Sequence, residues 1–414
     1  MGEKVYGLLG RKLGHSWSAP IHAALGCADY RLIELEPEAL GAFLAREDIG
    51  GLNVTIPYKR EVMAYCDELD PMAAEIGSVN TLVRRADGKL CGYNTDAAGF
   101  CFMARRAGID FTGKKTLVLG SGGASLTAVA CAKKRGAHEV VVISRTGKDN
   151  YGNLDRHTDA DLVVNTTPVG MYPNNGAVAV DLTALPCCCG VLDLIYNPRR
   201  TALLLQAEAL GIPCSDGLPM LVAQAKAAEE YFFAKPIAES ENERILAQLR
   251  REMTNLVLIG MPGSGKSTVG AALAALTGRE AIDLDARIAE KAGRPIPEIF
   301  AADGEAAFRA LEREVTAECG ALSGKILLTG GGVVKTPENY AALHQNGRIY
   351  QLLRPLELLA VEGRPLSQGA DLAAMWAERA PLYERFRDAA VDNSGTVEET
   401  AQGIWRDFCE NSGH

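Results

Sequence analysis

Short apolar runs alternate with helix-period segments along the whole chain. In the first part they fall at residues 5–9, 32–35, 52–56, 117–119, 140–143, 162–164 and 191–195. Apolar runs of this length, bounded by turn residues and separated by helical stretches, predict strands of parallel α/β sheets. One segment breaks the rhythm. Around residues 80–94 the text reads VNTLVRRADGKLCGYN, and its Asp87-Gly88 pair between two short strands predicts a hairpin. A helix is expected over 97–107, with Gly108 and Gly113 after it, which places an internal boundary near 99–108. Helical periods return over 218–233 and 239–252, and the main junction is expected at about 251–254. No Gly/Ser-rich linker separates the halves, which predicts docked rather than tethered parts. There is no internal repeat.

Two glycine-rich segments interrupt this pattern at matching places, each after an apolar strand and before a helix. The first, GSGGAS at Gly120, Ser121, Gly122, Gly123, Ala124 and Ser125, contains no lysine and suits a dinucleotide pyrophosphate set on backbone N–H groups at a helix N-terminus. The second, GMPGSGKST from Gly260 to Thr268, fits the P-loop pattern. There Gly263, Ser264, Gly265 and Thr268 belong to the phosphate cradle, Lys266 reaches the β/γ-phosphates and the Ser267 hydroxyl ligates Mg²⁺. One cradle suits a redox cofactor and the other a nucleoside triphosphate.

Composition narrows the partners. At 414 residues the chain is long enough for two or three domains. The net charge is −9 and the 43 basic residues form no long run, which argues against nucleic acid and anionic lipid as partners. The 11 cysteines include no C-x-x-C pair, and Met1-Gly2-Glu3-Lys4 leads directly into an apolar run, so a reduced, cytoplasmic protein is expected. The run Cys187-Cys188-Cys189 has no partner at zinc-site spacing, and no apolar stretch reaches the ~20 residues of a membrane helix.

Before the first cradle, polar residues gather at Ser16 and Ser18, at NVTIPYK (53–59), at Asn80-Thr81 and at Asn94-Thr95-Asp96. Hydroxyls, amides, one amine and one carboxylate suit a polyhydroxylated carboxylate. Seven motifs in order, NVTIPYK, GSVNT, GYNTDAAG, GSGGAS, NTTPVGM, DLIYNP and GLPMLVAQA, resemble the shikimate dehydrogenase family over most of residues 3–235. The resemblance implies reduction of 3-dehydroshikimate to shikimate with a nicotinamide cofactor. It implies Lys59 and Asp96 as the catalytic pair, Ser16 and Ser18 on the substrate carboxylate, and Thr55, Asn80, Asp96 and Gln224 on ring hydroxyls. Tyr196 would complete the pocket near the nicotinamide, and Thr166 of NTTPVGM would join the cofactor site. An ammonium beside a carboxylate can donate the proton that the alkoxide needs after hydride delivery.

The end of the strand at 140–143 addresses cofactor choice. An NAD site places an acidic side chain there for the ribose 2′-hydroxyl, whereas Ser144, Arg145 and Thr146 offer two hydroxyls and a guanidinium, which favours NADP(H). Only about 14 residues lead from Thr146 to the next strand, little more than the dozen a parallel crossover needs, so the adenine side of this lobe is expected to be reduced.

In the second half, Ile282-Asp283-Leu284-Asp285 reads as a strand end that alternates its two carboxylates onto one side, one to support Mg²⁺ and the other to accept the proton of an attacking hydroxyl. Gly304-Glu305, Phe308-Arg309, Glu312, TGGG at 329–332, GRPL at 363–366 and RAPLY at 379–383 follow. This set resembles shikimate kinase across about residues 254–410. It implies Asp285, Arg309, Gly331, Gly332 and Arg379 on shikimate, with the arginines clamping its carboxylate, Glu312 orienting Arg309, and Arg364 in a lid that acts on the transferring phosphate. The lid is shorter than the family's usual form.

The two resemblances meet in one metabolite. Together they imply a bifunctional α/β enzyme, with a two-lobed dehydrogenase containing a Rossmann-like NADP lobe followed by a P-loop kinase domain with a parallel sheet. The expected parts are a catalytic lobe at 1–100 completed by helices at about 215–252, an NADP lobe at 101–214, and an ATP- and Mg²⁺-dependent kinase at 253–414. Two rival readings are an NAD-linked quinate or shikimate oxidoreductase fused to a small-molecule kinase, and a chain with one half kept as a non-catalytic metabolite-binding regulator. Ser144-Arg145 argues against the first, and Lys59, Asp96, Lys266 and Asp285 argue against the second.

Overall fold

The computed structural model describes residues 4–14, 16–359 and 372–412. The chain forms two compact units, Met1–Leu246 and Ala247–His414. The helix Ser240–Met253 runs across the division.

The first unit holds two sheets. The first contains β1 (Val5–Gly10), β2 (Tyr30–Glu34), β3 (Ile49–Val54), β4 (Glu68–Leu69), β5 (Thr81–Arg84) and β6 (Leu90–Tyr93), in the order β2-β1-β3-β5-β6-β4. It is parallel from β2 to β3, and the hairpin expected around residues 80–94 is β5–β6, antiparallel with Leu82 opposite Gly92. The second is all parallel: β7 (Lys115–Leu119), β8 (Glu139–Ile143), β9 (Leu162–Asn165), β10 (Gly190–Asp193) and β11 (Cys214–Ser215), in the order β11-β10-β9-β7-β8. Its apolar runs are continuous because both faces are covered. Val118 packs into one core with Phe100, Met103 and Ala128, whereas Leu117 and Leu119 pack into another with Leu203 and Leu204.

Between β8 and β9 there is no α-helix. The connection is a turn of 3₁₀ helix, Leu154–His157, with Asn150 N–H donating to Asn153 Oδ1 at 2.8 Å. The reduced crossover expected from its length is therefore present.

The second unit has one parallel sheet: β12 (Asn255–Ile259), β13 (Ala281–Asp283), β14 (Ile326–Leu328), β15 (Gly347–Leu353) and β16 (Ala389–Asp392), in the order β13-β14-β12-β15-β16. Here too alternate residues of the central strand enter opposite cores, Val257 and Ile259 into one, Leu256 and Leu258 into the other. In both parallel sheets the strand before the glycine loop lies between neighbours reached in opposite directions, the switch point where ligands bind in open α/β sheets. Among the described residues no helix is long and apolar enough to cross a membrane. Of the three adjacent cysteines, Cys188 is buried and Cys187 and Cys189 are exposed.

Candidate active sites

In the first unit an ammonium and a carboxylate meet. Lys59 lies just beyond β3, held by the fully buried Tyr58, whose hydroxyl donates to Leu35 O, and by Val79 N–H, which donates to Lys59 O at 2.8 Å. Asp96 opens the helix Asp96–Arg106, where a negative charge at the N-terminus complements the helix dipole. Lys59 Nζ donates to Asp96 Oδ2 at 2.5 Å, both side chains being partly exposed.

Amides and hydroxyls surround this pair. Asn80 Oδ1 accepts from Thr95 N–H at 2.7 Å, so the same amide that flanks Asp96 also braces the start of its helix, and Asn80 Nδ2 donates to Gln224 Oε1 at 3.4 Å. Gln224 comes from the helix Leu218–Phe233, which carries part of the GLPMLVAQA motif across the helix of Asp96. Thr55 N–H donates to Leu9 O at 2.9 Å. Ser16 Oγ accepts from Ser18 N–H at 3.2 Å, at the start of the helix Ser18–Leu25.

The glycine loop of the first unit follows β7 and opens the helix Gly123–Lys134. Gly120 has φ +105°, and a Cβ there would stand 2.8 Å from Thr166 Oγ1 and from Thr167 Cγ2. Only glycine fits both demands. At Gly122 and Gly123 a Cβ would meet nothing within 4 Å, so the rim of the cradle is open for the backbone approach of a pyrophosphate. The Thr166 hydroxyl is committed to Leu119 O at 2.6 Å, which makes it a brace of the loop. Ser121 lies in the loop and Ala124 on the helix, while Ser144 ends just past β8, bonded through its N–H to Asp149 O at 3.2 Å. Arg145 and Thr146 are exposed.

Sequence reasoning gave no role to the network beneath this cradle. Asp193, at the end of β10, accepts from Asn165 Nδ2 at 3.0 Å, Ile195 N–H at 3.0 Å and the Thr201 hydroxyl at 2.7 Å, while Thr167 donates twice to Asn165 Oδ1. Burial pushes the Asp193 carboxyl up to about 6, against the hydrogen bonds that favour its charge. The network fixes the ends of β9 and β10, from which the loop carrying Tyr196 leaves. Burial also raises the Tyr196 phenol.

The second site is a cavity of about 670 Å³, lined by Gly263, Gly265, Lys266 and Ser267 of the loop before the helix Lys266–Thr277, by Asp283 and Asp285, by Arg309, Glu312 and Arg379, and by Gly330, Gly331 and Gly332. Ile296, Phe300 and Phe308 give it an apolar wall. Lys266 Nζ folds over its own loop and donates to Gly260 O at 2.8 Å and Met261 O at 3.0 Å. Ser264 is buried, and its carbonyl accepts from Asn393 Nδ2 at 2.7 Å, whereas Thr268 is exposed on the helix.

The expected placement of the two carboxylates needs correction. The strand stops at Asp283, and Asp285 belongs to the helix Leu284–Ala292. Asp283 is that helix's N-cap, its Oδ1 accepting from Asp285 N–H at 2.9 Å and Ala286 N–H at 3.3 Å. The side chain that ends the strand therefore starts a helix, because a carboxylate satisfies the free N–H groups of a first turn. Both carboxylates still line the cavity.

The arginines converge on one backbone segment. Arg309 Nη1 donates to Glu312 Oε2 at 2.7 Å and to Gly332 O at 3.3 Å, and Arg379 Nη1 donates to Gly331 O at 3.1 Å. A Cβ would lie 2.7 Å from Pro262 Cδ at Gly331 and 2.7 Å from the Arg309 guanidinium at Gly332, so the GGG run admits the loop and the arginine to the same place. Burial raises the Glu312 carboxyl, opposed by Arg309. Arg379 Nε is buried without a hydrogen-bond partner among the described residues, a donor left for a ligand. Two supports were not foreseen: Tyr383, whose hydroxyl donates to Gly331 O at 2.5 Å, and Asn393, whose Oδ1 accepts from Thr400 Oγ1 at 2.9 Å. Arg364 lies outside the described residues.

A parallel sheet with an open glycine turn, in one unit with an ammonium–carboxylate pair, defines a nicotinamide-dependent oxidoreductase. A P-loop opening into a cavity with paired arginines defines a kinase of a small anionic molecule. Residues 8–82 match the sequence model of the shikimate dehydrogenase substrate binding domain, and residues 262–408 match that of shikimate kinase. The shikimate dehydrogenase (NADP(+)) of Clostridium perfringens is 36% identical over 268 residues, 60% of this chain and 98% of that protein. Among solved structures, a chorismate mutase/shikimate 5-dehydrogenase fusion protein from Clostridium acetobutylicum aligns with a TM-score of 0.57 and 35% identity, covering 60% of this chain and 98% of that one. Shikimate 5-dehydrogenase from Thermus thermophilus, in complex with NADP(H) and shikimate, aligns with a TM-score of 0.53 and 32% identity, covering 58% of this chain and 97% of that one. The chain belongs to the shikimate dehydrogenase family and carries a shikimate kinase domain after it. It is a bifunctional enzyme that uses NADP(H) and ATP, with Mg²⁺ the usual partner of the kinase.

Proposed function

We propose that the two sites act in sequence, the first reducing 3-dehydroshikimate to shikimate and the second phosphorylating shikimate to shikimate 3-phosphate. The observation that carries the first step is the 2.5 Å contact between Lys59 Nζ and Asp96 Oδ2 beside Asn80 and Gln224. NADPH, when bound, supplies the hydride. Lys59 then donates a proton to the nascent alkoxide, Asp96 keeps the ammonium oriented, and Thr55, Asn80 and Gln224 hold ring hydroxyls while Ser16 and Ser18 hold the carboxylate. Tyr196 closes the pocket. Gly120, Ser121, Gly122, Gly123 and Ala124 take the pyrophosphate, with Ser144, Arg145 and Thr146 on the 2′-phosphate.

In the second step Arg309 and Arg379 clamp the shikimate carboxylate, supported by Arg379 Nε, which has no partner among the described residues, while the Gly331–Gly332 backbone confines the ring. Asp285 accepts the proton of the attacking hydroxyl, Lys266 and Arg364 stabilise the transferring phosphate, and Ser267 and Asp283 hold Mg²⁺. The lobes divide as 1–100 with 215–252, 101–214 and 253–414, one sheet in each. The test is a coupled assay with 3-dehydroshikimate, NADPH and ATP. Loss of NADPH should be accompanied by a phosphorylated product, and a product that stops at shikimate with ATP present would refute the sequence.

A further inference from the structure

Two thiols meet where the helix of Asp96 packs on the helix that opens at the glycine cradle. Cys101 is partly buried on Asp96–Arg106, and Cys131, 2% exposed, lies on Gly123–Lys134. Cys131 Sγ donates to Ala97 O at 3.8 Å, one turn before Cys101 on the same helix, and Cys101 packs against the core cluster that contains Cys131. Arg105 and Arg135 stand one turn beyond Cys101 and Cys131, respectively, and the positive charge of both arginines favours the Cys101 thiolate.

This environment sets Cys101 apart. Burial pushes the thiols of Cys27, Cys66, Cys91, Cys188, Cys214 and Cys319 up. The hydrogen bond from Cys131 and the two arginines instead bring Cys101 down to about 6, leaving the proton on Cys131, whose own thiol is pushed up. A thiolate with a cation and a second thiol beside it is the arrangement of an oxidisable pair.

We propose that Cys101 and Cys131 are a peroxide-responsive dithiol whose disulfide ties the helix of Asp96 to the helix of the glycine cradle. The Cys101 thiolate attacks hydrogen peroxide, so that an S–O bond forms, the O–O bond breaks and the departing hydroxide takes up a proton as water. Cys131 then loses its proton and attacks the sulfenic sulfur, the S–S bond forms and a second hydroxide leaves as water. Two thiols are oxidised and one peroxide is reduced to two waters. Closing the bond draws the two sulfurs together to about 2.05 Å. Asp96 lies five residues before Cys101 and Gly123 eight before Cys131. The contraction therefore shifts the catalytic carboxylate against the cradle, and misplacement of about 1 Å can cost about 10²-fold in rate.

The cross-link is independent of the proposed reactions, and only its effect on turnover rests on them. The full-length chain is treated with hydrogen peroxide, digested without reduction and analysed by mass spectrometry. The peptide 90–105 should appear joined to 116–133 with the loss of two hydrogens, and fragmentation should place the link at Cys101 rather than Cys91. NADPH turnover should fall about tenfold or more as the link accumulates and return with dithiothreitol, while phosphorylation of shikimate persists. Cys101→Ser should keep its turnover through the same treatment, and Cys131→Ser should give a dimedone adduct on Cys101 with no link. A Cys101 that remains a free thiol in the treated wild-type chain overturns the proposal. So does a link through Cys91, or equal reversible loss of turnover in Cys101→Ser.

Discussion

The two glycine loops of this chain are built alike and stabilised differently. Each follows a buried strand at the switch point of a parallel sheet and starts a helix. The first offers backbone N–H groups and open space at Gly122 and Gly123, and the second encloses an ammonium, with Lys266 bonded to Gly260 O and Met261 O. The difference follows from what happens to the phosphate. A pyrophosphate that stays intact needs only fixed dipoles to hold it, whereas a phosphoryl group in transfer redistributes charge and needs a cation close to it. The supports differ as well: the first loop rests beside a buried carboxylate, Asp193, and the second hangs from a neutral amide, Asn393.

Removing one cation from each site gives the largest effects. Lys266→Ala should abolish shikimate phosphorylation and spare NADPH oxidation, and Lys59→Ala should cut NADPH oxidation by about 10²–10⁴ and spare phosphorylation. Steady-state assays of both activities on each variant check this, and loss of both in either variant would break the comparison. Asp285→Asn should still bind ATP, measured by calorimetry, yet transfer no phosphate to shikimate.

The supporting carboxylate predicts a pH dependence confined to the first unit. Asp193 holds its proton up to about pH 6 in the folded chain, against a usual carboxylate value of 3.8. Between those values the folded state binds a proton that the unfolded state has released, so this group makes stability fall as pH rises through the window and adds nothing further above it. The full shift corresponds to at most about 3 kcal/mol. Thermal denaturation from pH 4 to 7 should show this slope, and Asp193→Asn should remove it without altering unfolding of the kinase unit.

Arg145→Ala should raise the KM for NADPH by roughly 10- to 150-fold with little change for NADH, because a charge-assisted contact is worth about 1.5–3 kcal/mol. An equal loss with both cofactors would show damage to the lobe rather than a lost 2′-phosphate contact. The smallest effect is expected from Asn393→Ala, which leaves Ser264 O without its donor at a cost of about 1–3 kcal/mol. The KM for ATP should rise while NADPH oxidation stays constant.

Much of the site was legible because its parts are local. The strand–glycine–helix order of both cradles, the hairpin at β5–β6 and the helix Leu218–Phe233 follow from periodicity and turn residues within a few positions of each other. The placement of Asp285 was not. Periodicity read DLD as the continuation of a strand, but the Asp283 side chain competes for the backbone as an N-cap and turns the chain into a helix. Asn393 carries no local signal, since VDNSGT reads as an ordinary turn and its partner Ser264 lies 129 residues away.

The sequence by itself determined which chemistries this protein can run, because phosphate cradles and strand periods are encoded over short spans by side-chain size and backbone freedom. Only the tertiary structure decided the distances at which these charged and polar groups meet. Lys59 and Asp96 are 37 residues apart, and Asn80 and Gln224 are 144 apart, and each pair comes together through sheet pairing and helix packing. Cys101 is set apart for the same reason. A thiol's proton affinity depends on the charges and donors within a few ångströms of it, and those are supplied by the fold.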